Sequence, residues 1–376
     1  MNSQHPRVTL VTTAVVCAVV VMLAASAASA AKVDIHGFML NRFYYDPGEA
    51  HFEVERIGLQ ASAPLADDVK TLIEWYYHNW APSDKLWLES AYVDFDNVYG
   101  GRLRAGRGRS YVFGITPTGG TRRTSEYGLV SETFTMDRIE GLQYMRDEKD
   151  GWAWAAGVYN GYSLGRRPTM DLHIYTPPHG GEHTANAHLT DRENNQRDVL
   201  EVAAKLTKHV NPSLQVDFSI RGGEISVADV AFVNDNFNAN WTSRTKLRYG
   251  LDAIYKKGEW MSNAELYLAK TSELDHIGYA ILVGYEPKNP AAMKAYVRYG
   301  VSDLDLSAAD LAPASPGALS DQLTADHEQW MLSLIQPIRP GVWVEFAYII
   351  NDQDTVAPGV SMPENDIGFV ELFTGF

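Results

Sequence analysis

The feature that most constrains the fold is an alternation of apolar and polar side chains with a period of two residues. It recurs in segments of about ten residues, the length at which a tilted strand crosses a membrane. In LQVDFSIR (214–221), Leu, Val, Phe and Ile alternate with Gln, Asp, Ser and Arg, and segments 245–255 and 293–301 repeat the pattern. Successive side chains of a strand point to opposite faces, so each segment has one apolar face and one polar face. After residue 31, no apolar run approaches the length of a membrane helix.

The chain contains sixteen such segments, and short connections alternate with long ones. An even strand count with this alternation is typical of an outer-membrane barrel. We therefore predict an all-β fold, a transmembrane antiparallel β-barrel of sixteen strands with short periplasmic turns and long extracellular loops. The predicted strands are residues 33–45, 51–62, 69–79, 86–95, 102–109, 139–146, 152–160, 198–208, 214–221, 244–256, 260–271, 277–286, 292–302, 326–336, 341–350 and 364–376. The long connections are 110–138, 161–197, 222–243, 303–325 and 351–363.

A secreted, water-soluble β-sandwich is the alternative to a barrel. Such a protein hides its apolar faces between two sheets. It predicts neither the alternation of connection lengths nor polar faces that carry charges of both signs. Those charged faces suit a water-filled lumen better than a packed core.

Residues 1–30 are predicted to be a secretory signal peptide, and residues 31–376 the barrel domain. Arg7 precedes an apolar run, Val8 to Leu23, followed by small residues that suit cleavage after Ala30. This run is shorter than the ~20 residues that a spanning helix needs. Cys17, the only cysteine, falls within the leader, so the exported chain has no disulfide or thiol chemistry. Without the leader the chain has 31 basic and 47 acidic residues, a net charge near −16 that argues against nucleic acid as a partner.

The segment IGFVELFTGF (367–376) alternates as far as Phe376. An open barrel edge leaves backbone groups unpaired in lipid, so we expect this strand to close on segment 33–45. Phe376 would then lie at the periplasmic interface, where aromatic rings are favoured. A terminal aromatic also resembles the signal that barrel-assembly machinery recognises. Phe369 and Phe373 share a face with Glu371, so the inward side of this strand is not uniformly polar.

The third external connection, 110–138, is long enough to fold into the lumen, and Gly119-Gly120 permits a sharp turn. It follows an arginine-rich strand, 101–110, in a chain of acidic balance. Arginine binds oxyanions through a fixed fork of donors. We predict that five arginines line a pore constriction that binds solutes: Arg104, Arg107, Arg109, Arg122 and Arg123. The alternative is that nearby carboxylates, including Glu126, Glu132 and Asp137, neutralise them.

Several segments, taken in order, resemble the phosphate-selective porin O/P family of outer-membrane proteins. The early strands are similar in segments 52–75, 88–95, 100–115, 137–144 and 157–161, and the middle strands in 198–212, 249–260 and 264–270. The resemblance implies a sixteen-stranded diffusion channel, usually trimeric, whose third loop folds inward. The phosphate channels of that family are lined by many basic residues, and the acidic balance of this chain departs from them.

No catalytic, metal or cofactor site is predicted. The loop 161–197 contains His173, His179, His183 and His188, and imidazole binds Zn²⁺ or Cu²⁺. The segment is rich in Gly, Pro and Asn, so we interpret it as a solvated loop. Phosphate-binding glycine motifs are absent.

The function predicted from the sequence is passive diffusion of small hydrophilic solutes or ions, including anions such as phosphate, across a bacterial outer membrane. The expected partners are outer-membrane lipid, two further copies of the chain in a homotrimer, and the barrel-assembly machinery. A closed structural or adhesive barrel and a barrel enzyme remain the alternatives.

Overall fold

The computed structural model describes residues 32–46, 49–78, 86–116, 121, 123–135, 138–161, 199–237, 240–305, 324–355 and 366–376. The predicted leader, 1–30, and the four histidines of the loop 161–197 lie outside these ranges. Within the ranges, no helix is both long enough and apolar enough to cross a bilayer.

The described strands form a closed antiparallel barrel in which each strand pairs with its neighbours in sequence and β1 pairs with β16. This confirms the predicted sixteen-stranded barrel. The strands are β1 Asp34–Asp46, β2 Glu49–Ala66, β3 Val69–His78, β4 Leu86–Val98, β5 Gly101–Arg109, β6 Arg138–Lys149, β7 Trp152–Asn160, β8 Leu200–Asn211, β9 Leu214–Glu224, β10 Thr245–Lys257, β11 Trp260–Thr271, β12 Leu274–Tyr285, β13 Lys294–Asp305, β14 Thr324–Arg339, β15 Val342–Thr355 and β16 Ile367–Gly375.

Among the described residues, two short helices lie in the connections. Helix α1 (Leu129–Phe134) belongs to the connection between β5 and β6, and α2 (Val227–Phe237) to the connection between β9 and β10. Several strands are longer than the alternation predicts, most clearly β2, β14 and β15. The added residues of β15, 351–355, are polar on both faces, so the backbone ladder continues there after the two-residue pattern has stopped.

The barrel closes as expected from segment 367–376. Phe38 pairs with Gly375 and Tyr45 with Gly368 in the β1–β16 register. Phe376 and Gly37 exchange backbone hydrogen bonds of 2.9 Å in both directions. A Cβ on Gly37 would lie 2.3 Å from the Phe376 ring, so the ring can pack against the outer wall at this point only because residue 37 is a glycine.

The two faces of the wall differ sharply in polarity. Large apolar side chains lie outward and are exposed, with Phe218, Leu251 and Leu332 each 50% accessible. Charged residues such as Arg248 and Glu345 lie inward, where neither is accessible. This arrangement suits lipid outside and polar groups inside.

Part of the lumen is a packed core, which differs from the uniformly polar interior that the alternation favours. Phe113, Val130 and Phe134, all from the connection between β5 and β6, pack against Tyr267 and Ala269 of β11. Val112, from the same connection, packs against the wall of β6 to β8. The alternation within the strands could not predict this core, because several of its residues come from the connection between β5 and β6.

Candidate functional site

The connection between β5 and β6, here called loop three (residues 110–137), enters the lumen along the inner wall. The backbone N–H of Ile115 donates to the Tyr267 hydroxyl at 3.3 Å, and Lys205 Nζ donates to the carbonyl of Gly114 at 3.0 Å. Gly114 has φ of +60°, and a Cβ there would lie 2.7 Å from the Tyr267 hydroxyl. Glycine is therefore required where the loop meets β8 and β11.

The tip of loop three reaches the periplasmic end of the wall. Asn263 Nδ2 donates to the carbonyl of Thr121 at 3.3 Å. Arg123 Nη1 lies 3.3 Å from Glu286 Oε1, and Lys256 Nζ lies 3.1 Å from Glu286 Oε2. Burial opposes ionisation of Glu286, but the hydrogen bond from Lys256 and the charge of Arg123 outweigh it and lower its pKa. Because Glu286 directly follows β12 at a periplasmic connection, the loop descends through most of the lumen.

The returning part of loop three is held by charged side chains of several strands. The N–H of Ser125 donates to Glu345 Oε2 of β15 at 2.9 Å. Glu126 Oε1 lies 2.6 Å from Arg42 Nη1 of β1, and its carbonyl accepts from Arg298 Nη1 of β13 at 3.0 Å. These contacts fix the loop against the β13–β15 side and the β1–β16 closure.

Arg42 is the residue that joins the most parts of the site. Its Nε and Nη2 atoms donate to Glu371 Oε2 at 2.8 and 2.6 Å, and its Nη1 donates to the Tyr44 hydroxyl at 2.8 Å. The guanidinium lies 4.1 Å from the ring centroid of Phe369. Together with its ion pair to Glu126, these contacts link β1, β16 and loop three through one buried cation.

The inner wall of β2 to β6 carries a second group of arginines. Arg104 binds Asp94 through two parallel hydrogen bonds of 2.7 and 2.8 Å and stacks over the Tyr92 ring at 3.6 Å. Arg109 Nη2 lies 3.5 Å from the Tyr76 hydroxyl.

Two further arginines complete this group. The Arg56 guanidinium lies 5.9 Å from the ring centroid of Tyr127 in loop three, and Arg138 forms a buried ion pair with Glu89. The wall of β2 to β6 therefore has arginines on the side that faces loop three, and two of them pair with carboxylates: Arg104 with Asp94 and Arg138 with Glu89.

The structure places the five predicted arginines differently. Arg104 and Arg109 lie on the inner wall, and Arg123 lies at the loop tip. Arg122 is outside the described residues. Arg107 points outward, because it lies on the face of β5 opposite to Arg104. Arg109 has the same parity as Arg107, but it is the last residue of β5 and its guanidinium contacts Tyr76 of the inner wall. The predicted cluster is thus a wall pair and a tip residue rather than one constriction group.

Arg107 forms an ion pair on the outer surface. Its Nη1 lies 2.5 Å from Glu140 Oε1, and its Nε donates to the carbonyl of Leu88 at 2.9 Å. Leu88, nearer the external rim, is 40% exposed, and Leu142, on the face of Glu140, is 46% exposed. The pair therefore lies within the apolar band that surrounds the barrel.

The site prediction did not include four arginines that contact loop three or line the wall beside it: Arg42, Arg56, Arg138 and Arg298. Arg42 shares its face of β1 with Leu40 and Tyr44, so the alternation does not reveal which face of that strand is inward. The one feature of the sequence that could have indicated the role of Arg42 was its charge on a mostly apolar face of β1.

Among the described residues, no group of three His, Cys, Asp or Glu side chains is arranged to hold a metal ion. Three of the predicted arginines have carboxylate partners: Asp94 for Arg104, Glu140 for Arg107 and Glu286 for Arg123. Glu126, considered above as a neutralising group for the arginines of its own loop, pairs with Arg42 of the wall.

No protein-family model matches the sequence, and no curated protein matches it. The solved outer membrane channel DcaP of Acinetobacter baumannii superposes with a TM-score of 0.61 at 12% identity, over 93% of this chain and 98% of that one. An anion-selective porin from Comamonas acidovorans superposes with a TM-score of 0.54 at 12% identity, over 92% and 100%. The fold is that of the bacterial outer-membrane porins.

A trimer form of OmpT, an outer membrane protein of Vibrio cholerae, is a third similar structure, with a TM-score of 0.53 at 13% identity over 92% of this chain and 100% of that one. Identities this low establish the fold and do not distinguish the phosphate-selective O/P subtype. The porin fold and the exposed apolar exterior together make this an outer-membrane barrel.

Proposed function

We propose that this barrel is a passive diffusion channel for small hydrophilic solutes in the bacterial outer membrane. The observation that carries the proposal is the path of loop three, which enters the closed barrel and is tied to β8, β11, β13 and β15. The solute path would run between the loop and the arginine-bearing wall of β2 to β6. A purely structural barrel has no need for a loop held through the depth of its lumen by charged contacts.

We further propose that the channel favours small anions, phosphate among them. Arg56, Arg104 and Arg109 lie on the wall that faces loop three, and Arg123 lies at the tip. A unit charge 4 Å away contributes about 1 kcal/mol in water and about 4 kcal/mol near a protein surface. Charges elsewhere on the protein are screened within about 8 Å at physiological salt, so the local arginines count for more than the acidic total.

The proposed assembly is a homotrimer that covers Arg107 and Glu140. An arginine at the middle of a barrel's lipid face costs about 2–4 kcal/mol, and the cost falls toward the interfaces. A neighbouring copy of the chain would shield the pair from lipid and offer polar groups to it. The trimer form of OmpT, a barrel of similar fold, supports this assembly.

Two proposals concern export. Residues 1–30 would be removed as a signal peptide, and the barrel-assembly machinery would recognise the strand that ends at Phe376. In the folded barrel the backbone of Phe376 pairs with that of Gly37, so the strand that would carry the signal is also the strand that closes the barrel.

Planar-bilayer recording tests the channel function directly. Protein of residues 31–376, refolded in detergent and shown to be folded by its heat-modifiable gel migration, is expected to add current in discrete steps. A folded protein that adds no current contradicts the proposal. Hydrolysis of lipid or peptide by that silent protein would favour a barrel enzyme, and tight binding to a surface would favour an adhesin.

A further inference from the structure

Four aromatic rings form a continuous row on the inner wall, here called the aromatic row: Trp343, Phe373, Phe38 and Tyr76. Trp343 and Phe373 are stacked with centroids 3.5 Å apart, and Phe373 and Phe38 are nearly parallel at 5.8 Å. Phe38 and Tyr76 meet edge to face at 5.4 Å. The row crosses the closure between β16 and β1 without interruption.

The row extends from the periplasmic end of the barrel toward the arginines of the wall. Trp343 is the second residue of β15, Phe373 the third from the end of β16, Phe38 the fifth of β1 and Tyr76 the eighth of β3. Trp343 pairs directly with Phe373 in the register of β15 and β16, and Phe38 and Tyr76 both pair with Gly58 of β2, so the row runs across neighbouring strands. At the upper end, the Tyr76 hydroxyl lies 3.5 Å from Arg109 Nη2.

The four rings belong to residues on the inward faces of their strands. Phe373 shares the inward face of β16 with Glu371, while Phe38 shares that of β1 with Arg42. Phe38, Phe373 and Trp343 are partly exposed, and an inward side chain is exposed only to the lumen. A Cβ on Gly58 would lie 2.2 Å from the Phe38 ring, so the glycine lets that ring lie flat against β2. This explains why the inward face of β16 is not uniformly polar.

We propose that the aromatic row is a binding track for solutes that have a ring with a flat apolar face and a polar edge. Stacking of flat rings on aromatic side chains adds to the burial of apolar area. Polar groups lie beside the upper end of the row: Glu74 accepts hydrogen bonds of 3.0 Å from both the Tyr76 hydroxyl and Ser90 Oγ. Pyranose sugars and aromatic acids share this chemistry. The inference rests on the proposed channel function, since it assigns a solute class to that lumen.

The test combines channel recording with calorimetric binding to the detergent-solubilised protein of residues 31–376. The probes are maltotriose, sodium benzoate and mannitol, which has hydroxyls but no ring. We expect maltotriose or benzoate to bind saturably and to reduce the current, and mannitol to do neither. Block by maltotriose alone identifies the sugar ring as the ligand, and block by benzoate alone identifies the aromatic acid.

Variants locate the binding. Phe38→Leu and Phe373→Leu should each weaken the block by about 2- to 10-fold, the ratio expected for one aromatic contact. Phe38→Tyr keeps the ring and should retain the block. Retained block in this variant, together with weaker block in Phe38→Leu, assigns the effect to the ring and not to poor folding of the leucine variant. Phe346→Leu is the matched control, because Phe346 lies on β15 and is exposed on the outer face.

The two proposals fail in different ways. A protein that conducts but binds neither ring-bearing probe overturns the aromatic track and leaves the channel intact. Equal weakening by Phe346→Leu and Phe38→Leu also overturns it. A protein that binds a ring-bearing probe in the calorimeter but does not conduct supports the track and counts against the channel.

Discussion

Arg42 Nη2 on β1 lies 2.6 Å from Glu371 Oε2 on β16, and the same guanidinium lies 2.6 Å from Glu126 of loop three through Nη1. One buried cation therefore joins the two strands that close the barrel to the loop that fills it. Removing one partner of a buried pair leaves the other charge without compensation, whereas removing both is much less costly. Closure of the wall and the position of the loop are thus coupled at this residue.

We expect Arg42→Met to lower the free energy of unfolding by about 3–5 kcal/mol, the usual cost of breaking a buried ion pair. Unfolding in urea, followed by gel migration of the folded form, measures this. The double variant Arg42→Met/Glu371→Gln should recover part of the loss, since it removes an orphaned carboxylate. Lys70→Met is the control, because Lys70 pairs with Asp96 at an exposed site, where an ion pair contributes little to stability. Equal losses in the Arg42 and Lys70 variants would refute the coupling.

The tip of loop three should loosen in acid. The pKa of Glu286 is lowered in the folded protein from its ordinary value of 4.5. The stabilisation from its ionised form is therefore complete above that ordinary value, and it is lost as pH falls through the lower folded value. A fluorophore on Thr121→Cys, in the chain without Cys17, should become more mobile below about pH 4.5.

The matched control for this titration is Glu286→Gln in the same labelled protein. It cannot ionise, so its probe should be mobile already at neutral pH and should show no step in the same acid range. A step of equal size in both proteins would assign the acid response to another group.

Inward and outward arginines should differ in their effect on ion selectivity. Arg104→Ala, Arg109→Ala and Arg123→Ala each remove a positive charge from the lumen and are expected to shift the reversal potential in a salt gradient toward cations. The direction follows from the carboxylates that remain and lose one of their cationic partners, Asp94 beside Arg104 and Glu286 beside Arg123. Arg107→Ala is the internal control, because its side chain lies on the outer wall. If the inward variants shift the potential no more than Arg107→Ala does, these arginines are structural.

The outward ion pair of Arg107 and Glu140 should contribute to the stability of the proposed trimer. We expect Arg107→Ala to make the proposed trimer dissociate at a lower temperature on semi-native gels, because Glu140 is left without its partner within the interface. Arg102→Ala is the control, since Arg102 pairs with Asp96 at the exposed periplasmic end. Native mass spectrometry in detergent gives the stoichiometry independently. Trimers of unchanged stability in the Arg107 variant would place the interface elsewhere, and monomers in the native protein would refute the trimer.

The strands and their closure could be predicted because the signal is local. A strand has one face toward lipid and one toward the lumen, so residues 214–221 or 245–255 record their own environment in a period of two. The inward course of loop three could also be predicted, since its length and the arginines before it lie in one continuous stretch. Arg107 shows the limit of this reasoning: it was grouped with Arg104 and Arg109 by proximity in sequence, yet it lies on the face of β5 opposite to Arg104. Arg109 has the same parity as Arg107, but it is the last residue of β5 and its guanidinium reaches Tyr76 on the inner wall.

The sequence by itself determined the barrel, its strand count, the order of pairing and the loop that enters it, because each depends on periodicity and on connection length. Only the tertiary structure decided which charges meet. Arg42 and Glu371 are more than three hundred residues apart in the chain, and Glu126 comes from a third element. The aromatic row likewise combines β1, β3, β15 and β16. Such groupings depend on the register between neighbouring strands and on the docking of loop three, which no local pattern specifies.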